Sequence, residues 1–290
     1  MSMTVRAPGK VNLDLRILGL RPDGYHEVRT LLQSIVLHDT IRLTLRDGPL
    51  TVRSRSRRVP SDRGNIVWAA ARALWSEMGR AGHPHGVGID INKRIPMAGG
   101  LGGGSSDAAS TLRGLCVMWG FKLGLDRLSR VTATLGSDVP YFLQGGLALG
   151  IGRGDVLRRL GDLGRFWVVL AVPGFEVSSR AAYGWFSVKR RQPATPLPRH
   201  WRTRMCALTN DLETPVMERH PSLLAMVSQL RRTGAVHVAM TGSGSTVFGL
   251  YKGRNHAIAA RRAVRSPGWR TILTRTLTFP EFRASVRVEP

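Results

Sequence analysis

A chain of 290 residues, 42% of them hydrophobic, has apolar material for one or two packed domains and reads as globular rather than disordered or fibrous. No apolar run approaches the roughly 18 residues of a membrane helix, and the N-terminus lacks a basic region followed by an apolar core, so a soluble cytoplasmic protein is expected and a secreted or membrane-spanning one is not. The 43 basic and 19 acidic residues leave a net charge of +24, which attracts polyanions and keeps nucleic-acid binding open as a competing function.

In chain order, Val11, Leu13, Leu15 and Ile17 alternate with Asn12, Asp14 and Arg16, the period of a half-buried strand with Lys10 and Asn12 on its polar side. Arg21-Pro-Asp-Gly-Tyr-His-Glu27 follows, with Pro-Asp-Gly as turn chemistry. Tyr25 and His26 on such a turn suit a ring-shaped ligand by stacking and hydrogen bonding, although a packed tyrosine and a surface histidine explain them equally. Thirty-eight of the basic residues are arginine, densest from Arg53 to Arg63 and from Lys189 to Arg204. Their dispersion, with Trp201 the sole aromatic in either run, argues against a specific nucleic-acid face. With only five lysines in the chain, Lys10 and Lys93 become candidates for places that need a compact ammonium.

Val87 to Ile91 reads as a strand, and Ala108, Leu112, Leu115 and Trp119 as a helix stopped by Gly120. Between them, five of the eleven residues from Pro96 to Ser106 are glycine. Strand, glycine loop and helix form the order of a phosphate cradle, in which backbone N–H groups and the helix dipole face an anion. The Walker and dinucleotide patterns are excluded: no lysine follows Gly104, and Ser105 stands where the third fingerprint glycine is needed. The competing reading is a flexible loop with Ser105 or Ser106 as an ordinary N-cap.

Leu135-Gly-Ser-Asp-Val-Pro-Tyr-Phe142 places Asp138 before Val139, which Pro140 biases away from helix. A carboxylate there is either a helix cap or a base with limited water access. Trp167 to Val172 reads as a buried strand, the region from Gly150 to Gly164 separates two halves, and Pro193 to Pro198 reads as an exposed loop. Met240 to Phe248 is a second glycine-rich loop, between strands at Ala235 to Ala239 and Val247 to Tyr251. Cys116 and Cys206 lie in unlike settings, which favours reduced thiols over a disulfide or metal site.

Pro8-Gly-Lys-Val-Asn-Leu13, Pro96 to Ala109 and Thr241-Gly-Ser-Gly-Ser245 occur in the order of the three motifs of the GHMP kinases, and the chain resembles that family from residue 7 to about 248. The turn at Arg21 to Glu27 and the segment around Asp138 resemble the branch that acts on a cytidine diphosphate-linked methylerythritol. The resemblance implies a two-domain α+β fold: an ATP-binding domain over 1–155, like part of ribosomal protein S-five, and a ferredoxin-like domain over 156–290, with the active site in the cleft between them. It implies ATP, with Mg²⁺ on its phosphates, as co-substrate, and phosphorylation of the 2-hydroxyl of the cytidylyl substrate in the non-mevalonate isoprenoid pathway. Pro96, Met97, Ala98, Gly99, Gly100, Leu101, Gly102, Gly103, Gly104, Ser105 and Ser106 would wrap the ATP phosphates. Asp138 would be the catalytic base and Lys10 its partner, with Asn12 beside the reacting hydroxyl. Tyr25, His26 and Lys93 would surround the cytidine diphosphate, and Tyr183 would be a second cytosine-stacking aromatic. Asp107 is open between complementing the helix dipole, approaching Mg²⁺ and facing solvent. The alternatives are a homoserine- or mevalonate-type GHMP kinase and an arginine-rich nucleic-acid-binding protein on a kinase-like fold.

Overall fold

A computed structural model describes residues 1–186 and 196–290. Two strands of unusual length, β1 (Ser2–Leu20) and β2 (His26–Pro49), pair antiparallel across the turn at residues 21–25. Four more, β3 (Thr51–Ser54), β4 (His85–Asn92), β5 (Leu147–Gly152) and β6 (Val156–Arg159), complete a sheet ordered β3-β4-β2-β5-β6, with β1 also on β2. Helices α1 (Ile66–Glu77), α2 (Gly103–Met118), α3 (Leu125–Leu135) and α4 (Val139–Gln144) belong to this half. Leu43, Ile89, Leu74, Leu112 and Phe142 share one apolar cluster beneath them.

The second sheet is antiparallel, β10-β7-β9-β8, from β7 (Trp167–Pro173), β8 (His237–Met240), β9 (Val247–Tyr251) and β10 (Trp269–Arg275). With it come α5 (Ser179–Trp185), a 3₁₀ turn at Met205–Ala207, α6 (Glu213–Arg219), α7 (Ser222–Arg232) and α8 (Arg254–Ala263). The last helix, α9 (Phe279–Ser285), opens on a capping box of Thr278 and Glu281, after which Glu289 returns to bridge Thr4. The sequence-predicted strands at 87–91, 167–172 and 247–251 and the helix ending at Gly120 are all present, Gly120 with φ of 64°. The basic run Lys189 to Arg204 and the proline-dense stretch from Pro193 lie partly outside the described residues. Among the described residues no helix is long and apolar enough to cross a membrane.

One expectation changes. The alternating segment of β1 is buried on both faces as far as Leu15, because Val11 and Leu13 pack with Val168, Leu170, Phe248 and Leu250 of the second sheet while Asn12 and Asp14, between and beside them, are buried as well. Its polar residues Lys10, Asn12 and Asp14 are therefore interior and bonded, while Arg16 stays partly exposed and pairs with Asp211 at 3.1 Å. Asp14, buried, pairs with Arg29 at 2.6 Å, and Asn12 donates to the Thr30 hydroxyl at 2.8 Å. A period of two reports alternation of side chains; only the second sheet decides that both faces are covered.

The seam between the sheets also holds His237, whose Nε2 lies 3.0 Å from the Leu13 carbonyl oxygen. Burial, helped by Arg231, pushes its pKa from 6.5 down to about 4, although the Leu13 hydrogen bond acts the other way. The unfolded chain therefore binds a proton that the folded chain refuses between those values, and stability falls as pH falls through that window. The expected loss is about 3 kcal/mol between pH 7 and pH 4. Urea titrations at both pH values should show it in the wild type and show it diminished in His237→Gln; identical pH dependence in the two proteins would contradict the assignment.

Candidate active site

The two glycine loops and the middle of β1 converge on one cleft of about 570 Å³. Gly100 makes this possible: with φ of 74°, its α-carbon lies so near the Thr241 carbonyl that an added Cβ would fall 1.9 Å from that oxygen. The Thr241 hydroxyl donates to the Gly100 carbonyl at 3.0 Å and accepts the Asn12 backbone N–H at 3.0 Å, so all three segments meet at one side chain.

Carbonyls of the first loop are spent on the protein side. Leu101 O accepts the Lys10 N–H at 3.0 Å, and Gly99 O accepts the Thr246 N–H at 3.4 Å. In a trans peptide the N–H points opposite to the C=O, which turns the amides of Gly100, Leu101 and Gly102 toward the cleft that these residues line. The helix behind them begins earlier than an N-cap at Ser105 or Ser106 requires. Gly102, at φ of 70°, is the N-cap of α2, and no side chain caps it, so the first N–H groups of the helix are not claimed by a side-chain cap. Ser106 is inside the first turn and turned away: its hydroxyl donates to the Pro8 carbonyl at 2.7 Å, and it is the one residue from Pro96 to Ser106 that does not line the cleft.

Opposite the loop stand Lys10 and Asp138. The Lys10 ammonium, 3% exposed, donates to Asn12 Oδ1 at 2.6 Å and lies 3.3 Å from Asp138 Oδ2. Asp138 is the residue at the N-terminus of α4, yet its side chain makes no cap bond, and Pro140 sits in the first turn where its missing N–H costs nothing. The cap alternative for Asp138 is thus not used. The expected shielding from water is not found either, because its side chain is 37% exposed to the cleft. The apolar neighbours that suggested shielding, Val139, Tyr141 and Phe142, point into the core.

A second pocket, about 680 Å³, adjoins the first and shares Val28, Ser137, Arg153, Ser179 and Tyr183 with it. Its walls bring together Tyr25, His26 and Tyr183, which come from the turn before β2 and from α5. The His26 and Tyr183 rings lie 5.2 Å apart and tilted by 32°, and Tyr25 is 54% exposed. Burial lowers the pKa of His26, which favours the neutral imidazole with one donor and one acceptor nitrogen. Burial, reinforced by the charge of Asp138, pushes the Tyr183 phenol above its ordinary range.

Lys93 is placed elsewhere. It lines the phosphate cleft rather than the aromatic pocket, and its ammonium pairs with Asp39 and, at 2.7 Å, with Asp107. Burial alone would lower the Lys93 pKa, but the two carboxylates outweigh it and raise it. Asp107 is buried, not solvent-facing, and burial together with Asp39 raises its pKa against the pull of Lys93. Two residues absent from the sequence reading join the site. Arg153 lies over the Tyr25 ring at 5.1 Å and borders both pockets; its signal was an arginine flanked by Gly152 and Gly154 at a predicted boundary. Asp39 is a carboxylate in an apolar run, Val36-Leu-His-Asp-Thr-Ile41, and it is wholly buried.

Residues 65–146 match the model of the GHMP kinases N terminal domain, and residues 195–268 that of the GHMP kinases C terminal domain. A 4-diphosphocytidyl-2-C-methyl-D-erythritol kinase of Geobacter sulfurreducens is 38% identical, over 95% of this chain and 99% of its own. A crystal structure of 4-(cytidine 5'-diphospho)-2C-methyl-D-erythritol kinase superposes with a TM-score of 0.77 at 33% identity, covering 94% of this chain and 98% of that one. Homoserine kinase from Cytophaga hutchinsonii shares the fold, with a TM-score of 0.74 at 16% identity over 99% and 97% of the two chains.

Proposed function

The chain belongs to the GHMP kinases and, among them, to the 4-diphosphocytidyl-2-C-methyl-D-erythritol kinases, and from that premise we propose that its cleft transfers the γ-phosphoryl group of ATP to the 2-hydroxyl of 4-diphosphocytidyl-2-C-methyl-D-erythritol. The observation that carries this reading is the adjacency of two pockets: a glycine cradle facing Lys10 and Asp138, and, through shared walls, an aromatic pocket of Tyr25, His26 and Tyr183. ATP occupies the first with its phosphates on the loop, and the cytidine ring occupies the second between Tyr25 and Tyr183. His26 then reads the edge of the base, and the erythritol hydroxyl reaches back toward Asp138 and Asn12.

The acceptor is a tertiary alcohol and a poor nucleophile. Asp138 takes its proton as the new O–P bond forms and the bond to the ADP oxygen breaks. Lys10 holds Asp138 by the ion pair at 3.3 Å and supplies positive charge beside the transferring group. Mg²⁺ belongs to the proposal as part of the nucleotide, since it binds mainly through phosphate oxygens and a carboxylate or two; among the described residues no group of three or more His, Cys, Asp or Glu could cage a metal. The division of labour between an ATP-holding unit over 1–155 and a second unit over 156–290, and a cytoplasmic setting, are parts of the same proposal.

ADP release with MgATP should appear with the cytidylyl substrate and not with mevalonate or homoserine offered separately. Turnover of another alcohol alone would move the protein elsewhere in the family. Silence with all three, from folded protein that binds generic RNA in a salt-sensitive way, would return the nucleic-acid reading. Within the active enzyme, Tyr25→Ala and Tyr183→Ala should each raise KM for the cytidylyl substrate by about 5- to 100-fold, the worth of one base stacked on an aromatic, with KM for ATP unchanged. Steady-state titrations of each substrate in turn decide this; equal rises for both substrates would remove the two rings from the cytidine site.

A further inference from the structure

Asp39, Lys93 and Asp107 form a buried charged triad that substrate contact does not explain. Asp39 lies in β2, Lys93 just past β4 and Asp107 at the fifth residue of α2, just after its first turn, so the triad joins three elements behind the phosphate loop. Asp39 Oδ1 accepts the backbone N–H groups of Arg94 at 2.5 Å and Ile95 at 2.8 Å, the residues through which the chain enters the loop. Asp39 Oδ2 accepts from Lys93 Nζ, which also donates to Asp107 Oδ2 at 2.7 Å, just beyond the loop's exit. One ammonium therefore ties the entry of the loop to its exit. The exposures are 0% for the Asp39 side chain, 9% for Lys93 and 5% for Asp107.

Such burial is poorly accounted for by stability, because removing three charges from water costs about as much as their attraction returns. The loop between the two ends has a stronger need for restraint. Ala98, Gly100 and Gly102 all lie at positive φ, 49°, 74° and 70°, and an alanine there resists the conformation. The Lys93 ammonium also lies directly under the start of α2: a Cβ on Gly103 would come 3.2 Å from it. Asp107 Oδ1 is buried without a partner among the described residues, so the carboxylate is held by Lys93 alone on that side.

We propose that Asp39, Lys93 and Asp107 are positioning residues for phosphoryl transfer, a clasp that fixes both ends of the loop from Arg94 to Ser106 and so presets its amides for the ATP phosphates. The inference rests on the reading of the cleft as an ATP site. Asp39 sets the entry through two amides, Lys93 measures the distance across, and Asp107 sets the rotation of α2 whose N-terminus completes the cradle. None of the three reaches the cytidine pocket, whose walls come from other segments.

The decisive experiment measures the Kd of ATP with Mg²⁺, and KM for each substrate, in the full chain carrying Asp107→Ala, Asp107→Asn or Lys93→Arg. Asp107→Ala should weaken ATP by about 10-fold or more, since small misplacements of binding groups cost up to about 100-fold. KM for the cytidylyl substrate should stay within about twofold of wild type. Asp107→Asn keeps the shape and an acceptor oxygen for Lys93, and should recover most of the ATP affinity. Should Asp107→Ala fail to fold, Lys93→Arg decides instead, because a planar guanidinium cannot replace a compact ammonium between two carboxylates without spreading the loop's ends. Unchanged ATP affinity in the folded variants overturns the clasp, and so does an equal loss for both substrates, which would mark a merely structural role. Wild-type turnover of the cytidylyl substrate is scored separately, so failure of the substrate assignment is not confused with failure of the clasp.

Discussion

Asp138→Asn is expected to lower kcat by about 10² to 10⁴, the usual contribution of a general base, with the melting temperature unchanged. The second half of that expectation comes from the structure. Asp138 begins α4 but caps nothing, its only charged partner among the described residues is Lys10 at 3.3 Å on the cleft side, and an amide of the same shape keeps an acceptor oxygen for that ammonium while removing charge and basicity. KM for ATP should change little, because the loop that binds the phosphates is held from other directions, by Thr241, Thr246 and Asp39. Lys10 makes the complementary test. Lys10→Met leaves Asn12 Oδ1 only a share, at 3.3 Å, of the Thr241 hydroxyl proton that the Gly100 carbonyl also takes, and removes the partner of Asp138, so it should cost both activity and stability. Single-turnover rates with the cytidylyl substrate separate the two: a near-normal rate in well-folded Asp138→Asn would end the assignment of Asp138 as base.

What the sequence made legible was chemistry that glycine and aspartate announce locally. The strand, loop and helix from Val87 to Gly120 are dictated by alternation, by glycines and by a helical stripe, and they stand where those patterns place them. From its own neighbours Asp138 read equally as a cap or a base, because the two share the same local sequence, and only the family resemblance named it a base; the structure shows no cap bond there and brings up Lys10 from 128 residues earlier in the chain. Ser106 shows the reverse case. Its position in the motif suggested a ligand contact, but a helix that starts at Gly103 rotates its hydroxyl onto Pro8. The surroundings of Lys93 were invisible for a third reason: Asp39 lies 54 residues away and Asp107 fourteen, and no periodicity encodes an ion pair between strands and a helix that meet only in the fold. Tyr183 was named by the resemblance alone, and the fold brings it beside His26, company that its own segment could not show.

Gly100→Ala should be the most damaging single methyl group in the chain. The positive φ alone disfavours alanine by about 1–2 kcal/mol. The larger effect is steric, because the new Cβ would sit 1.9 Å from the Thr241 carbonyl oxygen and 2.9 Å from its carbon, both backbone atoms that cannot rotate aside. Thr241 must retreat, and with it go its bonds to the Gly100 carbonyl and the Asn12 amide, so the phosphate loop separates from the second glycine loop and from the strand that carries Lys10. ATP affinity should fall by about 100-fold or more, and the melting temperature should drop by several degrees, as loss of a few kcal/mol implies for a chain of this size. Gly104→Ala, four residues on, isolates the cause: its Cβ would meet only Ile66, at 3.8 Å, and the residue is helical, so stability should hold or rise by about 0.5–1 kcal/mol. Thermal melts of the two variants beside ATP titrations give the answer. If Gly100→Ala melts with the wild type and binds ATP normally, the loops do not depend on their contact, and the convergence of three segments at Thr241 is not what assembles the site.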